Sequence, residues 1–165
     1  MSGMRAWCLL LLILAPSAML RGQTDKAGAS GLVLQAKGDG VQIYECGKEH
    51  GFLQWQLEGP DAKLLDGNGK VVGKHFAGPT WQLNDGSHVK GRVISSQASP
   101  DAGSIPWLLL SAVPGTASGK LAQVAYIRRS NTHGGLAPKA GCEKADQAGQ
   151  KIKVPYTADY SFYTR

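Results

Sequence analysis

From Gly38 onward the apolar residues of this chain recur at every second position, not at the three-and-four spacing of a helix. In the run VQIYEC, Val41 and Ile43 fall on one face and Gln42 and Tyr44 on the other. In FLQWQLE, Leu53, Trp55 and Leu57 line up against Gln54 and Gln56. Both are patterns of half-buried strands. Gly59-Pro60 marks a turn, and Ala62–Leu65 with Lys70–Phe76 predict a hairpin around Asp66-Gly67-Asn68-Gly69. A short strand through Trp81 and Leu83 ends at an Asp-Gly turn, and SHVKGRVISS alternates out of it. IPWLLLSAV is a continuous apolar run of strand length, which predicts a central strand buried on both faces. KLAQVAYIRRSN is the next strand, with Leu121, Val124 and Ile127 imperfectly periodic. A long loop, Thr132–Gln150, has room for one helical turn near Glu143–Gln147. The last strand alternates Tyr156, Ala158, Tyr160 and Phe162 with Thr157, Asp159 and Ser161.

The pattern before Gly38 is different. Arg5 precedes an apolar run from Ala6 to Ala15, closed by Pro16, Ser17 and Ala18. A positive residue, roughly ten apolar residues and a small-residue exit describe a secretory signal peptide, and a membrane span needs about twenty. Residues 1–22 are therefore expected to be removed, with Ala18, Gly22 and Ala29 as alternative ends, and residues 23–37 to form a flexible Gly/Ala/Ser-rich leader. Residues 38–165 form a single β domain, exported to the periplasm or secreted. About eight or nine short strands, broken by Gly, Pro, Asn and Asp, define an all-β fold: a mainly antiparallel sandwich or barrel. No internal repeat is present.

Composition adds three points. The 22 glycines in 165 residues favour turns and short strands over long helices. Loss of Arg5 and Arg21 with the signal peptide leaves sixteen of the 18 basic residues against 12 acidic ones, a net charge of +4. The lysines are scattered and no basic stripe alternates with aromatics, so nucleic acid is not an expected partner. Of the three cysteines, Cys8 leaves with the signal and Cys46 and Cys142 remain. Two thiols in an oxidising compartment predict one disulfide across most of the domain, stabilising by roughly 4 kcal/mol in the chain-entropy model.

The ordered motifs GVQIYEC, GKHFAGPTW, DGSHVKG, IPWLLL, YIRRSNTHGGLAPKAGC and VPYTADYSFY resemble a family of secreted bacterial, fungal and plant proteins known by a domain-of-unknown-function label. The resemblance covers about Gly38 to Tyr163 and implies no particular activity. Some fungal members bear the name malate dehydrogenase, and the residues here argue against it. A dinucleotide site places Gly-x-Gly-x-x-Gly between a strand and a helix. Gly38–Gly40 and Gly67–Gly69 lie between strand patterns instead. No cofactor is expected.

Candidate chemistry concentrates in KHFAGPTWQLNDGSHVKG. His75, Asp85 and Ser87 have the side chains of a Ser-His-Asp triad, which geometry rather than order defines. Asp85-Gly86-Ser87 is equally a tight turn, with Asp accepting backbone N–H bonds and Gly at positive φ. The four histidines, His50, His75, His88 and His133, lack metal-binding spacings, so no metal is assigned. Gly134-Gly135 with Arg128 and Arg129 upstream offers an anion nest, against the alternative of a sharp turn before Cys142. Most aromatics belong to the core, while Trp81 and His75 are the members expected to be partly exposed and to meet a ligand. The leading functional reading is a monomeric exported binding or envelope-associated protein for a small molecule or glycan. The alternative is a secreted hydrolase or oxidoreductase using His75 with Asp85 or Ser87, assisted or not by a metal.

Overall fold

The computed structural model describes residues 31–165. The signal-peptide assignment, and all of the leader before Gly31, lie outside the described residues. Eight strands form one sheet that closes on itself. They are β1 (Leu32–Glu49), β2 (Phe52–Leu65), β3 (Val71–Phe76), β4 (Thr80–Leu83), β5 (His88–Gln97), β6 (Trp107–Pro114), β7 (Tyr126–Gly134) and β8 (Lys151–Tyr163). Every strand pairs antiparallel with its sequence neighbours, and β8 returns to pair with β1. Closure satisfies the backbone groups that an open sheet leaves at its edges, so the architecture is an up-and-down barrel. Among the described residues no helix is long and apolar enough to cross a membrane. A 3-10 turn at Ala145–Gln147 lies within the long loop, inside the stretch expected to hold a helical turn.

The strand count is eight because two predicted segments are one strand. Gly59-Pro60 does not turn the chain; it sits in β2 beside a bulge, where the register moves from Ile43–Gly59 to Tyr44–Leu57 and leaves Glu58 unpaired. Gly59 has φ +146°, which the bulge requires and other residues rarely adopt. At the other end, β1 begins at Leu32, so residues 32–37 belong to a strand rather than to the leader. Leu121 and Val124 are buried as their apolar character demands, but in a turn ahead of β7. β6 is not covered on both faces either: Leu110 is buried while Leu109 and Val113 are exposed.

The alternation in β1 holds, and the face it buries is the polar one. Gln42, Tyr44 and Cys46 point into the barrel, whereas Val41 and Ile43 are half-buried. The interior is accordingly divided. Leu64, Leu83, Val89, Leu121, Ile127 and Phe162 pack one part as an ordinary apolar core. The remainder holds Gln42, Tyr44, His75, Tyr156 and Tyr160, all buried. Glycines make room for the large rings there. A Cβ on Gly38 would stand 2.6 Å from the Tyr160 ring, and one on Gly91 would stand 2.8 Å from Leu110 and 3.0 Å from Trp81.

The predicted disulfide joins Cys46, at the end of the inward face of β1, to Cys142 in the loop before β8, with Cα atoms 5.4 Å apart. The backbone beside it is pinned on both sides, Cys46 N–H donating to Gln150 O and Gly149 N–H to Cys46 O, both at 2.8 Å. Trp55 donates its indole N–H to Ala140 O at 3.1 Å and so holds the same loop.

Candidate functional site

The β3–β4 hairpin sets the site. His75 on β3 lies opposite Trp81 on β4, so both side chains enter the barrel from one rung. Their rings stack at 4.3 Å with planes 7° apart, and Tyr160 of β8 meets both edge-on, at 5.0 and 5.4 Å. His75 Nδ1 lies 2.8 Å from Thr80 O. A carbonyl only accepts, so Nδ1 carries the proton and Nε2 keeps the lone pair. Burial lowers the His75 pKa to about 4, with the nearby Arg129 charge adding to the effect and the bond to Thr80 opposing it. His75 is therefore neutral at neutral pH.

These residues form the wall of a cavity of about 270 Å³. Its inner wall carries Gln42, His75, Trp81, Arg129 and Tyr160. Toward solvent it is bounded by the β2 bulge at Leu57–Pro60, the Gly78-Pro79 turn, and Val93 on β5. The volume lies just below the roughly 300–1,000 Å³ common for small-molecule pockets. Gln42 is 2% exposed, yet its Oε1 has no hydrogen-bond partner, and the buried Nε1 of Trp81 has none either. Leaving such groups unpaired costs about 1–3 kcal/mol each.

Of the two arginines expected to supply positive charge, Arg129 lines the cavity, whereas Arg128 is exposed on the other face of β7. The Arg129 guanidinium holds Pro106 O through Nε at 3.0 Å and Nη2 at 2.8 Å. Burial pushes the Tyr160 phenol up, and the neighbouring Tyr156 hydroxyl and Arg129 charge oppose that push without cancelling it. Tyr160 in turn lies 3.3 Å from the Tyr156 hydroxyl, whose pKa burial likewise raises. Among the described residues no carboxylate forms an ion pair with Arg129.

The triad candidates part company. Asp85 Oδ1 accepts both the Ser87 amide at 2.8 Å and the Ser87 hydroxyl at 2.6 Å. Asp85 Oδ2 accepts the Lys120 amide at 3.0 Å, and Ser87 Oγ accepts the Leu121 amide at 3.2 Å. These bonds, led by that from Lys120, lower the Asp85 pKa. The cluster is a clamp that ties the β4–β5 turn to the turn before β7, and none of its bonds reaches His75. With its hydroxyl hydrogen on a carboxylate and its lone pair on an amide, Ser87 lacks the base that activates a nucleophile.

A serine, an aspartate and a histidine do meet elsewhere. Ser104 Oγ and His133 Nδ1 both bond Asp101 Oδ2 at 2.8 Å. The aspartate stands between the other two, so the imidazole cannot take the serine proton as a triad requires. Gly134 and Gly135 are also engaged. The Gly134 amide donates to Ser104 Oγ at 2.8 Å, and Gly135 O accepts the Tyr44 hydroxyl at 2.7 Å. Their φ values of +68° and +85° are those of a sharp turn, and a Cβ on Gly134 would stand 2.6 Å from Pro155 O. Among the described residues no three His, Cys, Asp or Glu side chains gather as a metal-holding group.

An eight-stranded antiparallel barrel with a part-polar interior cavity is the class of protein that fold and site define. A family model described as a protein of unknown function, DUF3455, matches residues 26–164, and the chain belongs to that family. No curated protein and no solved structure matches the chain.

Proposed function

We propose that this protein binds a small molecule inside its barrel, in the cavity walled by Gln42, His75, Trp81, Arg129 and Tyr160. The observation that carries the reading is the unpartnered carboxamide oxygen of Gln42, buried on the wall of a cavity that opens to solvent. Buried polar atoms are nearly always bonded, and an exception beside an open cavity points to a group supplied from outside. Barrels of eight strands are wide enough to enclose one small ligand. The ligand has an apolar body, for Leu57, Pro60, Pro79, Val93 and Leu108 form the outer wall, and a polar end that reaches Gln42. Binding is favoured over hydrolysis or redox chemistry because Ser87 and Asp85 are committed to each other away from His75. The Cys46–Cys142 disulfide supports an exported protein working in an oxidising compartment.

Trp81 makes the test direct. Titration of small apolar molecules with a polar end is expected to quench tryptophan fluorescence saturably and to raise Tm. Val93, exposed at the cavity mouth, can be enlarged without entering the core. Val93→Trp is expected to leave Tm within about 2 °C while lowering affinity about tenfold or more, by blocking entry. Saturable binding that Val93→Trp leaves unchanged, or no saturable binding across a broad panel, would refute the cavity as the site.

A further inference from the structure

We infer that the polar end of the ligand is a carboxylate and that Arg129 is its anchor, an assignment that rests on the cavity-binding reading. Arg129 is the one cation on the cavity wall among the described residues. A guanidinium has five N–H donors, and the two bonds to Pro106 O leave three. Arg129 is half-buried, and a partly desolvated cation favours an acid beside it; no carboxylate of the described residues fills that role. The planar fork of Arg matches a carboxylate in a way that a lysine would not.

The rest of the wall narrows the class to monoanions. Glu58 also borders the cavity, ion-paired to Lys151, which is shared with Glu45, so the outer side carries two carboxylates for one ammonium. A phosphate or dicarboxylate would bring a second negative charge toward that rim with no second cation to meet it. An apolar outer wall suits a hydrocarbon or aromatic body. Gln42, with an amide that both donates and accepts, and neutral His75 with a free lone pair can then meet a hydroxyl or a protonated oxygen beside the anion.

The test pairs acids with uncharged isosteres on the full chain: 3-phenylpropanoate against 3-phenylpropanamide, and hexanoate against hexanamide, by calorimetry at neutral pH. The acids are expected to bind about tenfold or more tightly than their amides, the size of a charge-assisted bond. Arg129→Met is expected to remove that preference, so that acid and amide bind within about twofold of each other, and Arg129→Lys to retain part of it. Because Arg129 also braces Pro106, the acid-to-amide ratio of the unaltered protein and of Arg129→Lys decides the matter if Arg129→Met does not fold. Equal binding of acid and amide, sensitive to Val93→Trp, would overturn the carboxylate assignment and leave cavity binding standing. Absence of saturable binding by any of these or the wider panel would overturn both.

Discussion

His75 shows how a single residue type misleads until its surroundings are known. In the sequence it is a candidate base; in the barrel it is a buried ring between Trp81, Tyr160 and Thr80 O. Its proton equilibrium then becomes a stability effect. The folded pKa of about 4 lies below the ordinary 6.5, so the unfolded chain binds the proton more readily between those values. The stability contributed by neutral His75 is complete above about pH 6.5 and is lost as the pH falls toward 4. The loss is on the order of 3 kcal/mol at one such residue. Urea melts at pH 7 and pH 4.5 are expected to show that decline, and His75→Gln, which has no such proton to bind, to flatten it over the same window. The lowered pKa values of Asp85, Asp101 and Glu58 act from the usual carboxylate values of 3.8 and 4.5 downward, so the upper part of the His75 window lies above them. A variant with the same slope as the original protein between pH 6.5 and 4 would show that His75 is not the titrating group.

At the scale of elements, most strands were legible and the inward face of one was not. The alternation of Tyr156, Ala158, Tyr160 and Phe162 marks both β8 and its buried side. In β1 the same alternation is present, but hydropathy favours Val41 and Ile43 while the fold buries Gln42 and Tyr44. A barrel that keeps a polar cavity inverts the rule that the apolar side of a strand faces in, and period alone does not reveal it. Gly59-Pro60 misled for a related reason: a bulge and a turn both use glycine at positive φ. Arg128 and Arg129 could be offered only together, because the two are indistinguishable until the strand has a face. Gly38 carried a signal that only packing explains. Gly38→Ala would press a methyl group into the Tyr160 ring, whose position is fixed by His75 and Trp81. The expected loss is about 1–3 kcal/mol by chemical melting, as for other overpacked sites. Gly67→Ala, where a Cβ meets nothing within 4 Å, is expected to change stability by less than about 0.5 kcal/mol.

For the whole molecule, the disulfide and the closure between β1 and β8 act on the same seam. Cys46 lies on β1 and Cys142 precedes β8, 96 positions further along the chain. Removing the cross-link returns that loop entropy to the unfolded chain. The double variant Cys46→Ala/Cys142→Ala is expected to lose about 4 kcal/mol in urea melts, with the oxidised protein showing no free thiol when unfolded. A loss below about 1 kcal/mol would mean that the loop is already held by Trp55 and by the Cys46–Gln150 backbone bond.

The pairing of β1 with β8 brings Gly31 and Thr164 within one hydrogen bond of each other, at 3.0 Å between Thr164 N and Gly31 O. Every strand is hydrogen-bonded only to its two flanking strands around the ring, so strand order is cyclic and has no privileged first member. A short linker from residue 165 to residue 31 could therefore carry the covalent connection. The chain could then be opened at the exposed Gly67–Gly69 turn, with the cavity and its disulfide untouched.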